Sequence, residues 1–305
     1  GGSNVAVGGF NTMDKNTTGS NNVAIGRCAM ACNTTADENT AVGFSALCAN
    51  VTGANNAGLG RGALQANTTG ASNVAVGKGA SQSGTTGASN TAVGFNSLCT
   101  NTTGSANTAI GQAALDALTT GSNNTAVGSS AGTSITEGAN NLALGKSALV
   151  FTTTGGCNIA LGEDSVRCNI SGNHNIGIGQ NSLFKNTASN NVAVGCGSLA
   201  CNTTGSGNVA IGDKSLNTIT TGNNNTAVGL QSLQVEQSST GGNTAFGNSS
   251  GVRVTTGPNN TVLGASSGCN ITTGQHNTAV GFQAGDDVTT GNDNTLIGYN
   301  ATPNL

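Results

Sequence analysis

Asn107-Thr108-Ala109-Ile110-Gly111 is followed 17 residues later by Asn124-Thr125-Ala126-Val127-Gly128, and 17 later again by Asn141-Leu142-Ala143-Leu144-Gly145. Working outward from these three, the same five-residue unit occurs 18 times, anchored on its last Gly from Gly8 to Gly298. The step is 17 throughout, except for 18 at Gly8 to Gly26 and at Gly229 to Gly247, and 16 at Gly179 to Gly195. A fixed short period of this kind describes a solenoid rather than a globule around one central core. The expectation is a single repeat domain over 1–305.

Numbering each copy from its anchor Gly, position -4 is Asn without exception: Asn4, Asn22, Asn39, Asn56, Asn73, Asn90, Asn107, Asn124, Asn141, Asn158, Asn175, Asn191, Asn208, Asn225, Asn243, Asn260, Asn277 and Asn294. Position -1 is always apolar, +4 is usually Leu, and Asn-Thr-Thr-Gly follows near +7 to +10. No 3.6-residue period fits between the glycines, and turn residues separate short β-capable stretches. The fold class that follows is all-β: a parallel β-roll of about 18 coils, each with two short strands and two turns. Coils stacked at about 4.8 Å would make a rod of roughly 80 Å. The Asn column predicts an amide ladder along the axis. The anchor Gly predicts a positive φ or a close backbone approach.

Exchanges within the chain point to the interior. Four copies replace the +4 Leu by Gly132, Gly251, Gly268 or Gly285, and those four place Ile135, Val254, Ile271 or Val288 at +7, which is usually polar where +4 is Leu, as in Asn50, Asn67, Asn101 and Asn202. The apolar plug thus moves between two positions that fill one small space. Strand side chains alternate faces, so an inward -1 implies an outward -2. Position -2 is nevertheless never polar: Ala in 14 copies, otherwise Gly58, Gly177, Val262 or Leu296. With -1 inward, the outward small-residue stripe needs a partner, and the partner is another copy of the chain; the sequence leaves open whether -1 lines the roll and -2 the axis, or the reverse.

Composition narrows function further. Charged residues make up 7% of the chain, aromatic residues 3%, and the formal net charge is -3. That balance gives no phosphate-binding surface and argues against a nucleic-acid partner. No apolar run is long enough to span a membrane. The chain begins without an initiator Met and both ends fall inside the repeat. The expectation is a segment of something longer, or ends covered by neighbours.

The motif Asn-Thr/Val-Ala-Val/Ile-Gly, as in Asn22-Val-Ala-Ile-Gly26, resembles the head repeats of trimeric autotransporter adhesins. The longer unit, with Asn-Thr-Thr-Gly, is similar to repeats in tail-fibre and surface-fibre proteins of bacteria, phages and large viruses. The resemblance implies a left-handed parallel β-roll, a homotrimer, and an extracellular, cell-surface or virion-surface location. The coils here are longer than those of the adhesin heads, and the 305 residues contain no coiled-coil or membrane-anchor pattern.

Chemistry is sparse. The acidic pairs Asp37-Glu38, Glu163-Asp164 and Asp286-Asp287 occupy different repeat positions and do not converge. His174 and His276 share position -5 but lie six coils apart, about 30 Å at strand spacing. No calcium-binding nonapeptide, P-loop, zinc motif or nucleophile elbow is present. No enzyme activity, cofactor or metal is expected. Nine cysteines offer possible disulfides at Cys32/Cys48, Cys157/Cys168 and Cys196/Cys201, with buried free thiols as the alternative. Asn-x-Thr triplets at Asn67, Asn101, Asn202 and Asn270 match glycan acceptors, although the turns need the same residues.

Position +1 is the most variable: Arg27, Phe44, Arg61, Lys78, Phe95, Lys146, Glu163, Asp213, Phe282 and Tyr299. Phe44, Phe95, Phe282 and Tyr299 form a candidate contact corner, facing either a glycan, host-cell or matrix receptor, or a neighbouring chain. The expected function is a structural or adhesive fibre, a rigid shaft or head that could also stack end to end into filaments. Its rival is a monomeric ice- or surface-binding solenoid using the Thr residues at -3: Thr91, Thr108, Thr125, Thr226, Thr244, Thr261, Thr278 and Thr295.

Overall fold

The computed structural model describes residues 2–235 and 241–303. It is a parallel β-solenoid of 17–18 coils, with no helix among the described residues. Two compact units divide it: one up to residue 156, containing β1 (Val5–Val7) to β9 (Leu142–Leu144), and one from residue 157, containing β10 (Ile159–Leu161) to β18 (Thr295–Ile297). Each coil contributes one three-residue strand, positions -3 to -1, where two were expected. Within each unit, successive strands pair in parallel and in register, so that Thr91, Ala92 and Val93 face Thr108, Ala109 and Ile110 of the next coil. The remaining 14 or so positions of a coil are turns.

Those turns use left-handed backbone without glycine. In the coil anchored on Gly43, Glu38, Ser45 and Leu47 have φ of 59°, 55° and 50°. Each such residue is strained by about 1 kcal/mol. Hydrogen bonds between coils continue through the turns and hold that conformation, as in Leu47 N–H to Ala63 O (3.0 Å) and Ala49 N–H to Gln65 O (3.0 Å). The anchor glycines are more demanding. Gly111 has φ of 132°, and a Cβ there would lie 2.5 Å from the carbonyl oxygen of Gly128. Both expected reasons for the anchor, positive φ and close approach, hold at once.

The inward and outward faces are the reverse of the expectation. Position -2 points into the coil: Ala24, Ala41, Ala92, Ala109, Ala193 and Ala227 are fully buried. Position -1 points out, with Ile25 39%, Leu59 41%, Ile110 39% and Leu263 48% exposed. The physical reason is the thickness of the interior. The opposite wall supplies the +3 and +4 residues, such as Ala46 and Leu47, both fully buried. That leaves room for a methyl group at -2 and little more. At Gly177 even a methyl would meet Val166 Cγ2 at 2.5 Å. Position -2 is never polar because it is core, and it is small because the core is one side chain thick.

The exchange between +4 and +7 is visible directly. Leu47, Leu64, Leu98 and Leu149 are buried at +4, and Ile135, Val254, Ile271 and Val288 are buried at +7 in the Gly-type coils. A Cβ at Gly132 would meet Ile135 Cδ1 at 3.0 Å. Two coils carry apolar residues at both positions, Leu115 with Leu118 and Leu216 with Ile219, all buried, so the exchange is a tendency rather than an exclusion. Gly at +4 also removes the left-handed Leu and opens space at -2. Val262, the larger of the buried -2 side chains, lies where a Cβ on Gly268 would meet its Cγ1 at 2.6 Å.

A double-mutant cycle tests this exchange. Gly268→Ala is expected to destabilise the protein by about 1–3 kcal/mol through overpacking. Combining it with Val262→Ala should lose less than the sum of the two single changes, measured by denaturant unfolding. Strict additivity would show that the two positions do not share space.

Candidate interaction surfaces and the columns that position them

Three polar columns fix the coils relative to one another and so decide what faces outward. Within each unit, the Oδ1 of a -4 Asn accepts the backbone N–H of the Asn one coil on, as from Asn107 to Asn90 (3.0 Å), Asn124 to Asn107 (2.9 Å) and Asn208 to Asn191 (3.0 Å). The side-chain amide donates to a turn carbonyl of the following coil, Asn107 Nδ2 to Gly121 O at 3.0 Å. A longer contact runs to the preceding Asn, from Asn107 Nδ2 to Asn90 Oδ1 at 3.2 Å. The column is therefore chiefly a ladder between side chain and main chain, supplemented by amide-to-amide contacts. Asn is required because it carries an acceptor and a donor on a single methylene; Asp lacks the donor and Gln is longer.

The second column was not separated from turn chemistry in the sequence. Asn33, Asn50 and Asn67 at +7 are buried and bonded in series: Asn33 Nδ2 to Asn16 Oδ1 (2.8 Å), Asn50 Nδ2 to Asn33 Oδ1 (3.0 Å) and Asn67 Nδ2 to Asn50 Oδ1 (2.8 Å). The third column is the Thr that follows, whose hydroxyl donates to the next coil, as from Thr68 to Thr85 O and from Thr85 to Thr102 O, both 3.0 Å. The signal was the recurrence of Asn-Thr-Thr at a fixed place, which a turn alone does not demand. Where Ile219 interrupts the +7 column, Asn202 Oδ1 is left buried without a partner. Asn67, Asn101 and Asn202 are core residues in the folded chain, whereas Asn270 is half-buried.

Two surfaces remain. The first is the outer face of the sheet, where -3 and -1 stand side by side in every coil. Its -1 members include Val76, Ile110, Val127 and Leu144 in the first unit, and Ile178, Ile211, Phe246 and Leu263 in the second, all exposed. The -3 threonines are on this same outward face, half-buried at Thr91, Thr108 and Thr125. The second surface is the +1 corner. In the first unit it sets cations beside rings, Arg27, Phe44, Arg61, Lys78 and Phe95 following one another over five coils: the Arg27 guanidinium lies 6.0 Å from the ring centre of Phe10, at +2 of the coil before, and 5.9 Å from that of Phe44, Arg61 lies 5.7 Å from Phe44, and Lys78 Nζ lies 5.4 Å from Phe95. Each such contact contributes about 0.5–1 kcal/mol at an exposed site. In the second unit Phe282 and Tyr299 stack at 5.6 Å between centres and 14° between planes. All four expected corner aromatics are exposed.

Cys32, Cys48, Cys157, Cys168, Cys196 and Cys201, the members of the three possible disulfides, are free thiols in the structure, and the three pairs fall differently around the coil. Cys196 at +1 is exposed, whereas Cys201 at +6 is half-buried, with the fully buried Ser198 and Leu199 between them in the chain. The Cys201 N–H is committed to the next coil, donating to Asn217 O at 3.0 Å. Cys157 and Cys168 are likewise set apart, at -5 and +6, the first exposed and the second half-buried beside Arg167, Lys185 and Asp164. Cys32 and Cys48 do meet as neighbours, through Cys32 N–H to Cys48 O at 2.9 Å, but stand one position out of register, at +6 and +5. Burial pushes the Cys48 thiol up, helped by Cys32 and Cys28.

Cys269 differs from the rest. Its thiol donates to Asp286 Oδ1, which also accepts from Asn270 Nδ2 at 3.0 Å. Burial first, then the Asp286 hydrogen bond and charge, push this thiol up to about 11. His276 Nδ1 faces Asp293 Oδ1 at 3.4 Å on the surface. Among the described residues, no three His, Cys, Asp or Glu side chains gather where they could hold a metal ion, and no helix is long and apolar enough to cross a membrane. No protein-family model matches the chain, and no curated protein matches it in sequence.

Two outcomes are expected. Asn107→Asp keeps the shape but sets a carboxylate oxygen against two acceptors in a fully buried site. It should destabilise by about 3 kcal/mol or more at neutral pH. Because the folded state favours the neutral acid, its carboxyl group is raised on folding, so the deficit should shrink as pH falls; equal deficits at both ends of a pH series would refute the donor role. Asp286→Asn should lower the Cys269 thiol towards its ordinary range, with burial still holding it above. Iodoacetamide should then modify Cys269 faster at pH 9 than in the unaltered protein, and an unchanged rate would remove Asp286 as a determinant.

Proposed function

We propose that this chain is a segment of a structural or adhesive fibre on a cell or virion surface, assembled as a homotrimer through the outer sheet face. The observation that carries the proposal is the outward -1 column. Aliphatic and aromatic side chains at every coil sit on the solvent side, while the interior takes methyl groups. Monomeric proteins rarely leave so extended an apolar strip uncovered. A second and third copy of the same strip fit it, because isologous or cyclic contacts place like columns against like with the same axial repeat. The number three and the surface location come from the resemblance of the Asn-Thr-Ala-Val-Gly units to trimeric adhesin heads and fibre repeats. In this reading the chain does no chemistry. It supplies stiffness through ladders that run from coil to coil and presents the +1 corner to a receptor or glycan.

One observation favours a second reading. The -3 threonines face outward on a regular sheet, five coils in succession from Thr226 through Thr295 in the second unit. Such an array could meet ice or another crystalline surface. Against it, the neighbouring -1 column mixes Val228, Phe246, Leu263, Val280 and Ile297, whose unequal lengths break a flat plane.

Solution mass by light scattering separates the readings. Three chains per particle is the expected result, and Ile110→Lys with Val127→Lys should shift the mass towards one chain while circular dichroism stays unchanged. Long particles of mixed length would identify end-to-end stacking. A monomeric unaltered protein would overturn the fibre reading, and thermal hysteresis from that monomer would establish its rival.

A further inference from the structure

The +1 corner of the first unit opens into a cleft of about 380 Å³ across the coils anchored on Gly60 and Gly77. Its floor is set by Gly62 and Gly79 at +2, both at φ 69°, in place of the larger residues Ser45 and Asn96 in the coils on either side. A Cβ on Gly79 would lie 2.5 Å from Asn96 Oδ1, so the glycine is what keeps that amide in the cleft wall.

Two cations line it. Arg61 and Lys78 are one coil apart, about 4.8 Å along the stack. Both are exposed, and among the described residues neither forms an ion pair; their close partners are the rings of Phe44 and Phe95. None of the lining residues is acidic. Beside the cations, Gln82 Nε2 donates to Gln65 Oε1 at 2.9 Å. That bond fixes both amides and leaves the Gln65 amide hydrogens and the Gln82 carbonyl oxygen to the cleft, with Asn96 opposite.

Paired cations suit a carboxylate, which Arg can grip with two parallel hydrogen bonds. Fixed amides that both donate and accept suit hydroxyl groups. The volume is that of a small-ligand site, and a chain with formal net charge -3 repels an extended polyanion. We propose that this cleft binds a carboxylate-bearing sugar unit, with the carboxylate across Arg61 and Lys78 and the hydroxyls on Gln65, Gln82 and Asn96. The inference deepens the corner of the fibre reading and leaves its interface alone, since no -3 or -1 residue lines the cleft.

The test is a titration of the full chain with sialyllactose, a glucuronate-containing disaccharide and neutral lactose, followed by ligand-observed NMR. At least one acidic sugar should bind with a Kd of about 1 mM or tighter, and lactose at least about tenfold more weakly. The two acidic probes decide between a sialic-type and a uronate source. R61A combined with K78A should lose about tenfold or more in affinity with its circular dichroism and light-scattering mass unchanged. K15A, which removes a cation outside the cleft, should lose nothing. Equal binding of acidic and neutral sugars, no binding of either acidic sugar, or an equal loss in K15A would overturn the proposal. So would binding only to heparin with a steep salt dependence, the mark of a diffuse charged surface. A monomeric mass with selective sugar binding would defeat the fibre reading alone; a trimer without such binding would defeat the cleft alone.

Discussion

Coils of this solenoid meet at strand spacing, so each residue's nearest neighbour across the stack is the residue at the same position one repeat away. That constraint is unforgiving at polar positions. A buried donor must find an acceptor on its own equivalent or on the adjoining turn, or remain unpaired. The -4 Asn column meets the condition by accepting a main-chain N–H on one side and donating to a turn carbonyl on the other. The +7 Asn and the Thr after it meet it in coils such as those of Asn67 and Thr68. Where the +7 column stops at Ile219, it leaves an orphaned acceptor at Asn202, and a second orphan stands at Asn169, since Asn186 Nδ2 donates to Ala188 O instead.

The same stacking explains an interior only one side chain deep. With strand and turn walls so close, the core is a series of small volumes, each filled from a limited set of positions. Leu at +4 with Ala at -2 is one filling; Gly at +4 with Ile or Val at +7 is another; Val262 at -2 belongs beside the second kind. Leu at +4 fills the core from a left-handed conformation, as Leu47 does at φ 50°, and Gly relieves that strain while surrendering the filling. Neither choice is free, and this chain uses both.

A thin core also displaces large apolar groups to the outside. The -1 column is apolar at every coil, although no interior contact calls for Val, Ile, Leu or Phe there. The outer face and the +1 corner then divide the surface: one is regular and apolar, the other irregular, with cations against rings in the first unit and stacked rings in the second. Regularity suits contact with identical chains, and irregularity suits contact with something else.

Much of this was legible without coordinates. Eighteen anchors at a near-constant step require a stacked solenoid, the invariant Asn requires a role repeated in every coil, and the covariation of +4 with +7 requires a shared volume. The direction of each strand was not legible. Alternation says that -2 and -1 face opposite ways and is silent on which is inside, and hydrophobic size pointed to -1 when the interior had room only for Ala. The single strand per coil was hidden for a related reason, since the turns keep main-chain bonds between coils while adopting left-handed φ at residues such as Leu47. Closeness in the chain did not reveal the surroundings of Cys196 and Cys201, which the path of one coil places in an exposed corner and a half-buried turn. The cleft at Arg61 and Lys78 depends on residues scattered over several coils. Sequence alone determined the period and the -4 ladder, because those repeat in every coil; only the tertiary structure decided the facing and the clefts, because those follow from how near one wall of a coil comes to the other.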